Sequence, residues 1–132
     1  MAKPRLVWKG KPESEDYDGA HRDMSLLYSD VEAAKVWRAL REAKTSEYPA
    51  KDLLRASELP LHPRDDPHVD ANLKRIHKGK PLAPILLVRG AKSQGITLTV
   101  ADGSHRICAI CHYDKNAPIG CRIVIASLLR VG

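Results

Sequence analysis

The stretch Ile96-Thr97-Leu98-Thr99-Val100-Ala101-Asp102-Gly103-Ser104-His105-Arg106-Ile107-Cys108-Ala109-Ile110-Cys111-His112 changes its period halfway along. Ile96, Leu98 and Val100 alternate with Thr97 and Thr99, the two-residue repeat of a strand whose faces differ. Beyond Asp102-Gly103 the apolar residues Ile107, Ile110 and Cys111 fall three and four apart, the spacing of a helical face. The pattern predicts a strand over 96–100, a break at Asp102-Gly103, and a helix from about Ser104 to Asp114. A strand that turns straight into a helix demands a sheet with helices packed on it. It also has a chemical consequence. The first amides of a helix lack internal acceptors and sit at the positive end of the macrodipole, which suits an anion. Gly103 allows close approach to the backbone. Ser104 adds a hydroxyl, His105 a titratable donor and Arg106 a planar fork matched to phosphate oxygens. Gly103, Ser104, His105 and Arg106 are therefore the candidate phosphate-binding residues.

Working outward, Ile85-Leu86-Leu87-Val88 after Pro84 is a continuous apolar run, as in a strand covered on both faces. Gly90 to Gly95 reads as a flexible connection, and Ile119, Cys121, Ile123 and Ile125 mark a last strand over 119–125. Asp66-Pro67 opens a helix, Val69, Leu73 and Ile76 form its buried stripe, and Gly79 and Pro81 close it. Residues 53–61 read as a strand ending near Pro60. Ser29-Asp30-Val31-Glu32 fits a capping box, and Ala33, Val36, Trp37 and Leu40 lie on one face of a helix over 30–44. Residues 1–28, rich in charge, Gly and Pro, read as a flexible arm on which Trp8, Leu26 and Leu27 are able to dock. The expected architecture is α+β, a mixed β-sheet with packed helices forming one domain over 29–132, preceded by the arm.

Leu59-Pro60-Leu61-His62-Pro63-Arg64, the helix closing on Gly79, the Pro84-Ile85 strand and the run Asp102-Gly103-Ser104-His105-Arg106-Ile107-Cys108-Ala109 together resemble the ParB/sulfiredoxin fold over residues 53–126. In partition proteins of that superfamily the matching turn is Gly-x-Arg-Arg-x-x-Ala; in sulfiredoxins it is Gly-Cys-His-Arg, and both hold nucleotide phosphates. Gly103, His105 and Arg106 match the sulfiredoxin motif and Ala109 the partition-protein alanine. The resemblance implies ATP or another nucleotide, with Mg²⁺, as the ligand. Some archaeal free-serine kinases are similar to the same fold, which brings ATP hydrolysis or phosphoryl transfer into view. Ser104 stands where sulfiredoxins carry their catalytic cysteine, so sulfinic-acid reduction is not expected. No helix-turn-helix follows within the 132 residues, which disfavours sequence-specific DNA partition.

Composition narrows the alternatives. Apolar residues make up 43% of the chain, yet no run approaches the roughly 20 residues of a membrane span. No membrane role is expected. Three cysteines and the absence of a leader-like apolar stretch suggest free thiols in a reducing, cytoplasmic setting. The net charge is +6; residues 1–30 hold five Lys/Arg against six Asp/Glu, net −1, which leaves +7 for residues 31–132. Such a body suits a phosphate-bearing small ligand, or less readily a nucleic acid held electrostatically. A protein partner engaged through residues 1–28 is the third possibility. Cys108-Ala109-Ile110-Cys111-His112 fits a haem-attachment pattern, but its helical, apolar setting argues for buried thiols, so neither haem nor zinc is expected. Lys74, Arg75, Lys78 and Lys80 form a basic cluster able to flank the turn, Asp66 is explained as a cap, and His77 suits the negative end of its helix.

Overall fold

The structure is a computed structural model that describes residues 5–90 and 98–125. Its core is a four-stranded mixed sheet in the order β1-β4-β2-β3, built from β1 (Thr45–Pro49), β2 (Ile85–Arg89), β3 (Leu98–Asp102) and β4 (Pro118–Ile125). β2 runs parallel to β4 and antiparallel to β3, while β1 pairs antiparallel with β4 at the edge. The run 85–88 behaves as its sequence demands. Ile85 and Leu87 enter one apolar cluster, Leu86 and Val88 the other, and all four are fully buried.

Helices cover both faces. On one side lie α3 (Ala50–Ala56), α4 (Pro67–His77) and α5 (Ser104–Tyr113), which bury Leu53, Val69, Leu73, Ile107 and Ile110 against the sheet. On the other lie α1 (Ser14–Leu27) and α2 (Asp30–Glu42), with Tyr17, Ala20, Met24, Val36 and Leu40 packed on Leu86, Val88, Ala101 and Val124. The α+β expectation holds. The helices read over 30–44, from Asp66-Pro67 and from Ser104 all form, as do the strands at 85–88 and 119–125. Of the strand read over 96–100, the described part begins at Leu98; the Gly90–Gly95 connection lies outside the described residues from 91 onward.

Two expectations fail. Half of the flexible arm expected over 1–28 is α1, a helix of 14 residues. Its N-terminus is tied by Asp16, whose Oδ2 accepts the Glu13 amide at 2.8 Å, and its buried residues Tyr17, Ala20 and Met24 recur at i, i+3 and i+7. Three apolar positions among so many charges are too few to show as a periodic stripe, so packing rather than propensity decides this helix. Ahead of it Trp8 forms a bridge to Leu82, with Lys9 donating to the Leu82 carbonyl at 2.8 Å. The strand read over 53–61 is the helix α3 followed by a turn at Glu58 (φ 55°). Good helix formers, Ala50, Lys51, Leu53, Leu54, Arg55 and Ala56, outweigh the apolar doublet. The first amides of α3 are met by the carbonyls of Ala117 and Lys115, both at 2.9 Å. The true strand is β1, Thr-Ser-Glu-Tyr-Pro, an exposed edge with no apolar alternation to mark it.

Candidate functional site

β3 ends at Asp102 and the chain passes through Gly103 (φ 109°, ψ 19°) directly into α5. That backbone conformation is accessible to glycine and costly for other residues. Among the described residues no side chain caps α5, and its first backbone bond is from the Ile107 amide to the Gly103 carbonyl at 3.1 Å. The amides of Ser104, His105 and Arg106 therefore have no helical acceptor. They open on a cleft of about 900 Å³ that all four sequence-predicted residues line.

Within that cleft Arg106 does not play the part its position in the motif suggested. Its guanidinium folds back over the turn, so that a Cβ placed on Gly103 would lie 2.9 Å from Nη2 and 3.2 Å from Nε. Nη1 donates to the Ala83 carbonyl at 2.9 Å, and Nη2 donates to Asp16 Oδ1 at 3.3 Å and to Asp102 Oδ2. The side chain is only 12% exposed. Its charge is taken up by two carboxylates, and it ties α5, β3, α1 and the segment before β2 to one another. One tie was visible in the sequence, since Asp102 and Arg106 are four residues apart; the other comes from α1, 90 residues away.

The remaining walls differ in sign. α4 contributes His68, Asn72 and Arg75, the last also donating to the Pro81 carbonyl at 3.0 Å. Of the basic cluster at 74–80, Arg75 is the member that lines the cleft; Lys74 pairs with Asp70 at 2.9 Å. Opposite stand Glu13, Glu15, Asp16 and Asp23, with Lys9 bound to Glu13 at 2.7 Å. None of these residues was singled out from sequence, although Glu13 and Asp16 have the spacing of a cap that would have revealed α1.

Two titratable groups in the cleft are displaced from their ordinary values. Burial, then a hydrogen bond and repulsion from Asp16, raise Asp102 to about 7 against the pull of Arg106. His105 is lowered, first by burial and then by repulsion from His68, with His62 adding to it and Asp66 opposing. The three thiols are free, Cys108 and Cys121 buried and Cys111 half-buried; burial raises all of them, Cys111 and Cys121 to about 11, as inert core thiols.

A Mg²⁺ brought by a nucleotide takes oxygen ligands from phosphates and from one or two carboxylates. Asp16 and Asp102, the carboxylates at the turn, are both held by Arg106, so they do not fit that role. Among the described residues no group of three His, Cys, Asp or Glu is arranged to hold a metal ion. No helix there is long and apolar enough to cross a membrane. Compared with known proteins, the chain matches no family model, no curated protein and no solved structure.

Proposed function

We propose that the protein binds a phosphate-bearing small molecule, a nucleotide or a phosphate ester, with phosphate oxygens on the leading amides of α5. The observation that carries this reading is the uncapped first turn of α5 at the wall of a 900 Å³ cleft, a volume suited to a ligand of nucleotide size. The Ser104 hydroxyl, His105, His68 and Arg75 supply further donors around it. Arg106 acts behind the site by holding the Gly103 turn in shape. The likeness of Asp102-Gly103-Ser104-His105-Arg106 to the nucleotide-binding turn of the ParB/sulfiredoxin superfamily supports the same reading.

Phosphoryl transfer, which the family likeness brings into view, finds no free carboxylate base at the turn, since Asp102 and Asp16 are both held by Arg106; binding is the part of the reading that the cleft carries. A long polyanion is less well served, because Glu13, Glu15 and Asp23 face the cleft. A partner gripped through residues 1–28 finds Tyr17, Ala20 and Met24 already buried on the sheet and only Leu26 and Leu27 exposed at the end of α1.

Isothermal calorimetry with ATP, ADP, CTP and inorganic phosphate tests the reading, with Ser104→Asp as the variant. A carboxylate in the first turn favours the helix yet repels a phosphate there, so the variant folds and loses about tenfold or more in affinity. No heat from any of the four ligands, or equal affinity in the variant, ends the proposal.

A further inference from the structure

Three of the six histidines meet beside the α5 N-terminus, each from a different segment. The His105 ring lies with its centroid 4.7 Å from that of His68, on the first turn of α4, and 5.4 Å from that of His62, in the loop before α4. The His68 and His62 rings are tilted against that of His105 by 34° and 36°. Their placement is built in. His112 Nε2 donates to the His62 carbonyl at 2.7 Å, and Arg64 donates to the His112 carbonyl at 3.0 Å, fastening the loop to α5. His68 is fixed through its amide, which donates to Asp66 at 2.9 Å.

We propose that anion binding in this cleft is linked to protonation of His105, whose ring is set between those of His62 and His68, so that His105 takes up a proton as the anion arrives. The inference rests on the anion-binding reading above and adds its regulation. A proton on His105 in the empty cleft meets partial burial and two neighbouring imidazoles, and its affinity for that proton is lowered accordingly. Asp66, the carboxylate that favours a charged His105, already accepts the His68 and Val69 amides. On β3 and α5 the charges of Asp102 and Arg106 are engaged with each other and with Asp16. Elsewhere in the cleft Arg75 on α4 adds positive charge, Lys9 is paired with Glu13, and Glu15 and Asp23 are acidic. An oxyanion on the α5 amides therefore supplies the missing counter-charge, and by linkage raises the proton affinity of His105.

Inorganic sulfate is the probe, because it carries no titrating proton of its own near neutrality. Calorimetry of the full chain at about pH 6.5, in buffers of different ionisation enthalpy, reads the protons exchanged. The expected result is uptake of up to about one proton, with affinity rising as much as tenfold per pH unit lowered. His105→Gln, at a residue that also donates to the anion, weakens sulfate binding and abolishes the proton uptake per sulfate bound. Proton NMR of the wild-type imidazoles gives an independent reading, in which the His105 titration moves to higher pH on saturation with sulfate. Sulfate binding with no proton uptake, or with an unmoved His105 titration, overturns the linkage while leaving the anion site standing. No sulfate binding at any pH removes the anion site itself, and the linkage with it.

Discussion

α4 and α5 lie side by side on one face of the sheet, and their N-termini are built in opposite ways. α4 is closed: Asp66 accepts the His68 and Val69 amides at 2.9 and 3.1 Å, and Pro67 removes a further donor from the first turn. Those bonds lower the Asp66 carboxyl below its ordinary value. α5 is open, with a glycine where α4 has its carboxylate and, among the described residues, no side chain to meet its amides. Its acidic neighbour Asp102 instead reaches Arg106, one turn into the helix. A carboxylate satisfies amides at one end and withholds itself at the other. The difference teaches that α5 ends as it does because its neighbours direct their charges to Arg106, leaving the amides to the cleft.

The comparison breaks most completely at Gly103. A Cβ there would sit 2.5 Å from Ile85 Cδ1, a fully buried side chain, and 2.9 Å from Arg106 Nη2, at a φ of 109°. Gly103→Ala is expected to cost about 2–4 kcal/mol, from backbone strain and overpacking combined. Gly79, at the other end of α4, also has positive φ (69°), but a Cβ there meets nothing within 4 Å. Gly79→Ala should cost only about 1 kcal/mol. Urea denaturation of both variants reads the contrast, and equal losses would show that the Gly103 turn is not a close-packed feature.

A smaller effect separates the two aspartates by pH. Asp102 is raised to about 7, above its unfolded value near 4, so the folded state binds the extra proton between those limits. Stability from this group is therefore present below about pH 4 and is lost as pH rises through 7. Asp102→Asn removes that slope. Relative to the variant, the wild type should lose on the order of 2 kcal/mol between pH 4 and pH 8, allowing for solvent around a quarter-exposed carboxyl. Asp66 is lowered, so its sign is reversed: its contribution is present above the unfolded value and is lost as pH falls through the acid range. Urea midpoints across the pH range decide whether Asp102 carries the slope.

How far this contrast could be read from sequence depends on how local each part is. Asp66-Pro67 and Gly79 bound α4 by chemistry within a few residues, and the strand-to-helix turn at Gly103 shows in the change from period two to period three or four. The continuous run at 85–88 correctly implied a strand covered on both faces. What stayed hidden is set by partners far along the chain. Tyr17, Ala20 and Met24 reveal a helix only when Val36, Leu40 and Leu86 are there to cover them. Arg106 looked free because Asp16 is 90 residues away, and β1 carries no pattern because an exposed edge strand needs none. The acidic wall of the cleft was invisible for the same reason: it belongs to a helix read as an arm.

The finest test of open against closed is amide exchange at the two helix starts. His68 and Val69 donate to Asp66, and each such bond is worth about 1 kcal/mol, or roughly fivefold in the population of the open amide. Ser104 and His105 lack that partner, so without an anion their amides should exchange faster than the α4 pair by about that factor, after correction for intrinsic rates. Saturating phosphate should slow Ser104 and His105 and leave His68 and Val69 unchanged. Measured by NMR on one sample, the α4 pair controls for any general stabilisation by the added salt. If Ser104 and His105 are already as protected as His68 and Val69 before phosphate is added, an internal group closes α5 just as Asp66 closes α4, and the open N-terminus on which ligand binding depends does not exist.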